Sequence, residues 1–460
     1  MGTSVIISGF NFISPTSVAF NGTNATFTVN STTEIVATVP VGASTGPITV
    51  ITPSGTATSA LQFGVPITNN AIQFANSAYQ ITEGTDADAI VTINRAGDTS
   101  NPATIDYTTN DTAGINCNTP NTGAASSRCD YLATIGTLRF AANETAKNIV
   151  IPIVDDRYLE GTETFRITLS NPTGNGASLG SPAIATITIN DNDLTTTDNP
   201  IDVAGFFVRE HYIDFLNREP DPSGLAFWTN NITSCGSNQP CIDVKRVDTS
   251  AAFFLSIEFQ DTGYLVYRIY KAAYGNISGA PVPVRLNEFL PDTQEIGNGV
   301  IVNQGNWQQQ LEANKQALAL EFVQRARFTA AYSTSLTPQQ FVNLLFANAA
   351  VSQQGPEYVA AINEFGGANT TADVAARSRA LRDVAEHPAL IQQEFNRAFV
   401  LMQYYGYLRR NPYDPPELTL DYQGYNFWLT KLNTFGGNYV NAEMVKAFIT
   451  SDEYRHRFGP

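Results

Sequence analysis

From Val154 to Glu163 the chain reads Val-Asp-Asp-Arg-Tyr-Leu-Glu-Gly-Thr-Glu, so Asp155, Asp156, Glu160 and Glu163 fall in one short loop. A second acidic run, Asn190-Asp191-Asn192-Asp193, closes a strand-like segment. Like charges this dense repel one another unless something neutralises them. Carboxylate oxygens are hard ligands, and calcium takes about six to eight of them from flexible loops. Residue type and spacing therefore point to a divalent-cation site, with calcium as the expected cofactor. A hydrogen-bonded acidic rim that fixes the loops without metal is the alternative these residues leave open.

Little else in the chain offers chemistry. The three histidines, His211, His387 and His456, lie in or beside helix-like runs. None has a second His at i+4 or a nucleophile motif nearby, and they read as surface or packed helix residues. Gly42-Ala43-Ser44-Thr45-Gly46 matches GxSxG but sits in a turn between strands, without the strand–turn–helix context of a nucleophile elbow. No Walker-type loop is present. The expectation is that the chain is not an enzyme. An extracellular enzyme with a site in the helical region stays open, because carboxylate pairs for glycoside hydrolysis come from distant parts of a sequence.

The elements that must position the acids follow from local pattern. Residues 3–65 alternate strand-like runs (Ser4–Ser8, Ala25–Val29, Ile48–Val50) with Gly, Pro and Asn turns, the signature of a small β-sandwich. Residues 70–193 alternate cleanly at Ile149–Ile153 and Ala185–Ile189, with a further run at Ile90–Ile93. The period changes after residue 200, where Val208, Tyr212, Phe215 and Leu216 fall at helical spacing. Leu311–Tyr332 and Val374–Tyr405, interrupted at Pro388, are also helix-like. The predicted architecture is multidomain: two all-β sandwiches over residues 1–66 and 67–194, a linker over 195–203 that includes Asn199-Pro200, and an all-α helical repeat domain over 204–460.

Composition sets the setting. Charged residues are only 15% of the chain, well below the usual quarter or so, and Thr, Ser, Asn and Gly take their place, as in secreted β-rich surface proteins. A net charge of −16 makes nucleic acid and anionic membrane poor partners for the chain as a whole. No run of 18 or more apolar residues occurs, so no membrane span is expected. Cys117 and Cys129 bracket one polar loop, and Cys235 and Cys241 another, with no zinc-ligand spacing. Two local disulfides are expected, each worth roughly 3 kcal/mol or less in the chain-entropy model, and with them an oxidising, extracellular or cell-surface location. Met1-Gly2 leads straight into a strand without a secretory signal, so the sequence is expected to be a fragment.

Three resemblances extend this reading. Val5-Ile6-Ile7-Ser8-Gly9-Phe10-Asn11-Phe12 and Ala37-Thr38-Val39-Pro40-Val41-Gly42-Ala43-Ser44-Thr45-Gly46-Pro47 resemble the immunoglobulin-like IPT/TIG family, minus its usual first strand. That resemblance implies an extracellular spacer or binding module. Ile81-Thr82-Glu83-Gly84, Asn110-Asp111-Thr112-Ala113, Gly136-Thr137-Leu138-Arg139-Phe140, the Asp155–Glu163 loop, Phe165-Arg166-Ile167-Thr168-Leu169-Ser170-Asn171-Pro172 and Asp191–Asp193 together resemble a Calx-β domain. In its calcium-binding members the matching acids gather at one end of the sandwich. Carried over, the resemblance implies Glu83, Asp130, Asp155, Asp156, Glu160, Glu163, Asp191 and Asp193 as ligands. Asn192, where strong binders often have a third Asp, and Arg157 beside the cluster lower its negative charge. The segment from Cys117 to Cys129 looks like an insertion just ahead of Asp130.

Within the helical region, Phe215-Leu216-Asn217-Arg218-Glu219-Pro220 echoes Tyr407-Leu408-Arg409-Arg410-Asn411-Pro412. Asp221–Trp228 echoes Asp421–Trp428, and Ala252–Phe259 echoes Ala447–Tyr454. Three matched blocks in one order mark an internal repeat, with two weaker copies between them. Asp221 and Asp421 are expected to cap helices, and Phe227-Trp228 and Phe427-Trp428 to turn into the core. These motifs resemble the helical domain-of-unknown-function 4214 family of secreted bacterial proteins. The expected role is a structural or adhesive module stiffened by calcium, with other surface proteins, glycans or a second copy as partners. A surface-polysaccharide-binding role for the aromatics of the helical domain is the alternative.

Overall fold

The computed structural model describes residues 3–40, 43, 45–64, 70–110, 113–114, 117, 123–194 and 198–460. Gly42 and Ser44 of the GxSxG match, Asp111, and Thr195–Thr197 of the expected linker lie outside the described residues. The first region holds β1 (Ser4–Ser8), β2 (Ser17–Phe20), β3 (Thr23–Asn24), β4 (Thr26–Ser31), β5 (Glu34–Thr38), β6 (Ile48–Thr52) and β7 (Gly55–Thr58). They form two sheets, ordered β1-β5-β4 and β3-β2-β6-β7, around Phe12, Val18, Phe20, Ile35 and Val50.

The second region holds β8 (Asn70–Phe74), β9 (Ala78–Thr82), β10 (Asp88–Gly97), β11 (Ala103–Asn110), β12 (Ile135–Phe140), β13 (Ala146–Pro152), β14 (Glu163–Gly174), β15 (Ala177–Leu179) and β16 (Ile184–Asn190). Its sheets run β13-β10-β8-β15 and β12-β11-β14-β16-β9. Alternation drives the packing: in β14, Phe165, Ile167 and Leu169 are buried and the residues between them are not, as period-two side chains require. Val91, Ile93, Ile149 and Ile151 meet them from the facing sheet. β16 pairs antiparallel with β14, Glu163 opposite Ile189, and parallel with β9, Asn190 opposite Thr82. That register brings the end of β9, the start of β14 and the end of β16 to one pole.

The helices follow: α1 (Ala204–Leu216), α2 (Pro222–Thr233), α3 (Gln239–Leu255), α4 (Ile257–Asp261), α5 (Gly263–Tyr274), α6 (Leu286–Gly297), α7 (Trp307–Phe322), α8 (Ala326–Ala331), α9 (Pro338–Ala349), α10 (Pro356–Asn363), α11 (Val374–Ala385), α12 (Pro388–Gly406), α13 (Gln423–Thr434), α14 (Met444–Ile449) and α15 (Asp452–Arg455). The α1 positions at helical spacing, Val208, Tyr212, Phe215 and Leu216, are buried in one large core. The break at Pro388 is the start of α12, where proline takes the first turn and the His387 ring accepts from the Ala389 N–H. Among the described residues no helix is long and apolar enough to cross a membrane.

Two expectations need correction. Phe227 and Phe427 do not enter the core; they are 61% and 59% exposed, while Trp228 and Trp428 are half-buried against it. The aromatics that do fill it come from many helices, among them Phe207, Tyr212 and Phe215 of α1, Phe253 and Phe254 of α3, and Tyr404 and Tyr405 of α12. Asp221 caps α2 through the Gly224 N–H, but Asp421 stands one residue before the α13 cap and accepts from Gln423 N instead. Pro200–Asp202, in the segment expected to link the domains, form a 3-10 turn with Pro200 and Ile201 buried.

Candidate metal centre

Four chain segments converge at the pole that the β9–β16–β14 register defines. Glu83 follows β9, its N–H donating to Asn190 O (3.3 Å). Asp191 and Asp193 follow β16, and Glu163 opens β14. That strand start closes the third segment, which runs from Asp155 through Glu160 after β13, and Asp130 lies on the fourth. Asp130 comes from the turn that ends at the Cys117–Cys129 disulfide, and its carbonyl accepts from Val154 N (2.9 Å), which ties it to the start of that loop. The second expected disulfide, Cys235–Cys241, is also formed.

Backbone donors orient several of these carboxylates. Ser126 N–H donates to Asp130 Oδ2 (2.5 Å), and Tyr158 N–H to Asp156 Oδ1 (2.7 Å). Asp191 accepts from Glu160 N (2.7 Å), Gly161 N (2.8 Å) and Asp193 N (2.6 Å), so it staples the two acidic loops together. Gly84 lies at φ +67°, and a Cβ there would run into Asn192 and Asp155; the turn needs glycine for both reasons.

Six of the eight expected ligands fall into two groups. Glu83, Asp191 and Asp193 each offer an oxygen within 4.8 Å of the others, and so do Asp130, Glu160 and Glu163. Calcium–oxygen bonds are about 2.3–2.6 Å, so ligands on opposite sides of one ion stand roughly 5 Å apart, and both groups fit that span. Asp155 and Asp156 are not in either group; Asp156 is buried beside Asp130, and Asp155 faces Arg157 at 3.9 Å.

The electrostatics show what such an ion would relieve. Burial pushes the Glu83 carboxyl up to about 9, against the Asn192 backbone hydrogen bond and with the charges of Asp193, Asp191 and Asp155. Burial, then the charges of Glu163 and Glu160, hold Asp130 well above the usual carboxylate range. Asp156 is raised by burial and then by Asp130. Asp130 Oδ1 and Asp193 Oδ2 are buried without a hydrogen-bond partner, on side chains whose residues are 5% and 6% exposed. Buried anionic oxygens without a donor are costly unless a cation meets them. Arg157 meets the first group in part, donating to Asp193 Oδ1 at 2.8 Å.

Among the described residues the histidines join no metal-binding group. His211 is fully buried, its ring between Phe207 O (2.7 Å) and Ser250 Oγ (2.5 Å). Burial drops its imidazole to about 3, so it stays neutral. Ser250 also bonds the Tyr407 hydroxyl, and His211 packs on Phe207, Phe253 and Tyr407. This Ser–His contact joins helices within the core. His456 is exposed at the C-terminal end, and His387 caps α12.

A two-sheet domain with carboxylates from four segments gathered at one pole is a β-sandwich built around an acidic loop cluster. Residues 68–193 match the Calx-beta domain, and the region is a domain of that kind. It is similar to sodium/calcium exchanger 1 of Mus musculus, 34% identical over 149 residues, and of Canis lupus familiaris, 32% over 149 residues. Those matches cover 28% of this chain and 14% of each exchanger. Sodium/calcium exchanger 3 of Mus musculus is 30% identical over 139 residues, 26% of this chain and 14% of the exchanger. The chain thus spans about a seventh of the curated relatives' length. Among solved structures, the apo-form Calx CBD1 domain is 30% identical, covering 27% of this chain and 97% of that one, with a TM-score of 0.23. The calcium binding domain CBD12 of CALX1.1 is 30% identical over 26% of this chain and 46% of that one, also with a TM-score of 0.23.

Proposed function

We propose that the Calx-beta domain of this chain binds calcium at the two carboxylate groups, and that the chain is a secreted or cell-surface structural or adhesive protein whose loops the metal locks. The observation that carries this reading is the pair of three-carboxylate groups, each within 4.8 Å, with partnerless buried oxygens on Asp130 and Asp193. Glu83, Asp191 and Asp193 would hold one ion, and Asp130, Glu160 and Glu163 another, with Asp155 and Asp156 beside them. The metal would supply positive charge where the loops otherwise repel, and no catalytic step is assigned to it. The two disulfides favour an oxidising location. The first two-sheet region, read as IPT/TIG-like, would be a spacer. We read the helices as four stacked copies of one unit, since Arg218–Glu258 (2.8 and 2.9 Å) and Arg410–Glu453 (2.6 and 3.0 Å) make the same two-pronged pair at matching places in the first and last copies. Calorimetric titration of chelator-stripped protein is expected to give saturable calcium binding and far weaker magnesium binding, because magnesium demands tight octahedral geometry and sheds water reluctantly. Absence of both heat and a shift in melting temperature would refute the reading.

A second reading is favoured by the exposed Phe227 and Phe427, which stand at equivalent places with half-buried Trp228 and Trp428 beside them. Exposed rings of this kind suit stacking on a surface polysaccharide. On a glycan array, signal that is lost on Phe427→Ala would support it; signal indifferent to that change would remove it.

A further inference from the structure

We infer that the C-terminal segment Glu453–Gly459 is a positioning element of the calcium site, acting chiefly through Arg128. The inference rests on the calcium reading above and goes beyond it, since it assigns control of the site to a part of the chain outside the Calx-beta domain.

Two of the acidic loops meet this one segment. In the first, Arg128 stands two residues before Asp130, inside the turn closed by Asp130 N to Ser126 O (2.9 Å). Its guanidinium donates to Leu408 O (3.0 Å) and Glu453 Oε1 (2.6 Å), and its own carbonyl accepts from Arg457 Nε (2.9 Å). Those anchors are themselves held. Glu453 takes two further bonds from Arg410, and Arg457 is clamped by Asp214 at 2.7 and 3.0 Å, both side chains almost fully buried. In the second loop, the Tyr158 hydroxyl donates to His456 O (3.1 Å), and Val154 belongs to the helical core. Farther along the chain, Asn199 donates to Arg455 O and Gly459 O (3.0 Å each), and Arg455 pairs with Asp202 (2.7 Å).

The physical consequence is preorganisation. Without metal, Asp130, Glu160 and Glu163 repel, and ions that must first gather scattered loops bind weakly. Loops already fixed by contacts that involve no ligand oxygen lose less conformational entropy on binding, so affinity rises. Coupling is reciprocal: calcium must tighten the docking of residues 453–459 by the same factor.

The test is calcium titration calorimetry on the full chain carrying Glu453→Gln, which leaves every ligand in place. Calcium Kd is expected to rise about tenfold, and the shape-altering but charge-conserving Arg128→Lys should raise it several-fold even if the first variant folds poorly. Glu258→Gln breaks the matching pair with Arg218 on the first helices; it should cost similar thermal stability and leave Kd unchanged, which a merely structural role of Glu453 would not predict. Hydrogen exchange at residues 453–459 should slow on adding calcium. A wild-type Kd retained in both Glu453→Gln and Arg128→Lys overturns this inference alone. No calcium binding by the wild-type chain overturns the calcium reading and this inference with it.

Discussion

Asp130→Asn is expected to act in opposite directions with and without calcium. In chelator the variant should be more stable than the wild-type chain by about 2 kcal/mol, the scale of relieving a buried charge that lacks a counterion. Asp130 is 5% exposed, faces Glu160 and Glu163, and has one oxygen without a donor. Asparagine keeps an acceptor for the Ser126 N–H, removes the charge, and adds an amide that can donate to either glutamate. With calcium the same change deletes a ligand from the group of three, and Kd should rise about 100-fold, or roughly 2.7 kcal/mol. Because calcium at about 1,000 times its Kd stabilises by roughly 4 kcal/mol, the melting-temperature order of the two proteins should reverse between chelator and excess calcium. A variant less stable than wild type by the same amount in both conditions would mean that Asp130 is held by its hydrogen bonds as a structural acid and that no ion uses it.

The second large effect is on pH. A carboxyl whose folded pKa is raised contributes stability below its unfolded value and loses it as the pH climbs toward the folded value. For Glu83 that window runs from the ordinary 4.5 to about 9, and Asp130 and Asp156 shift in the same direction. Calcium-free protein should therefore lose stability from pH 5 to pH 8, by at most about 1.4 kcal/mol per pH unit for each proton involved. Glu210, raised to about 7 by burial in the helical core, adds a slope of the same sign that calcium does not touch. Calcium binds the deprotonated groups, so its stabilisation should grow across the same range, and binding at pH 7 should release protons. Urea unfolding at several pH values, with and without calcium, reads the first effect. Titration in two buffers of different ionisation heat reads the second. Parallel pH profiles with and without calcium, together with no buffer dependence, would exclude these acids as the metal's ligands.

Local pattern carried much of this protein. Alternation in Ile149–Ile153 and Ala185–Ile189 marks β13 and β16 because a strand's two faces are written in neighbouring residues. The change to helical period at Val208, Tyr212, Phe215 and Leu216 marks α1 for the same reason. The density of Asp155, Asp156, Asp191 and Asp193 exposes the acidic pole directly. Glu83 and Asp130, each isolated in sequence, enter only through resemblance to a Calx-β domain.

What only the tertiary structure decided is non-local. Sorting six acids into two groups depends on the β9–β16–β14 register, which no single segment encodes. The exposure of Phe227 and Phe427 follows from how α2 and α13 face the core, with Ile232 and with Tyr425 and Leu432 turned inward; a Phe-Trp pair looks the same whether it faces in or out. Arg128 gave no sign in the sequence of its role, because its partner Glu453 lies 325 residues away. The sequence alone determined which segments are strands, helices and acidic loops, since those depend on neighbours a few residues apart. Which loops meet, and what holds them from outside, was decided by long-range packing of the helices against the sandwich.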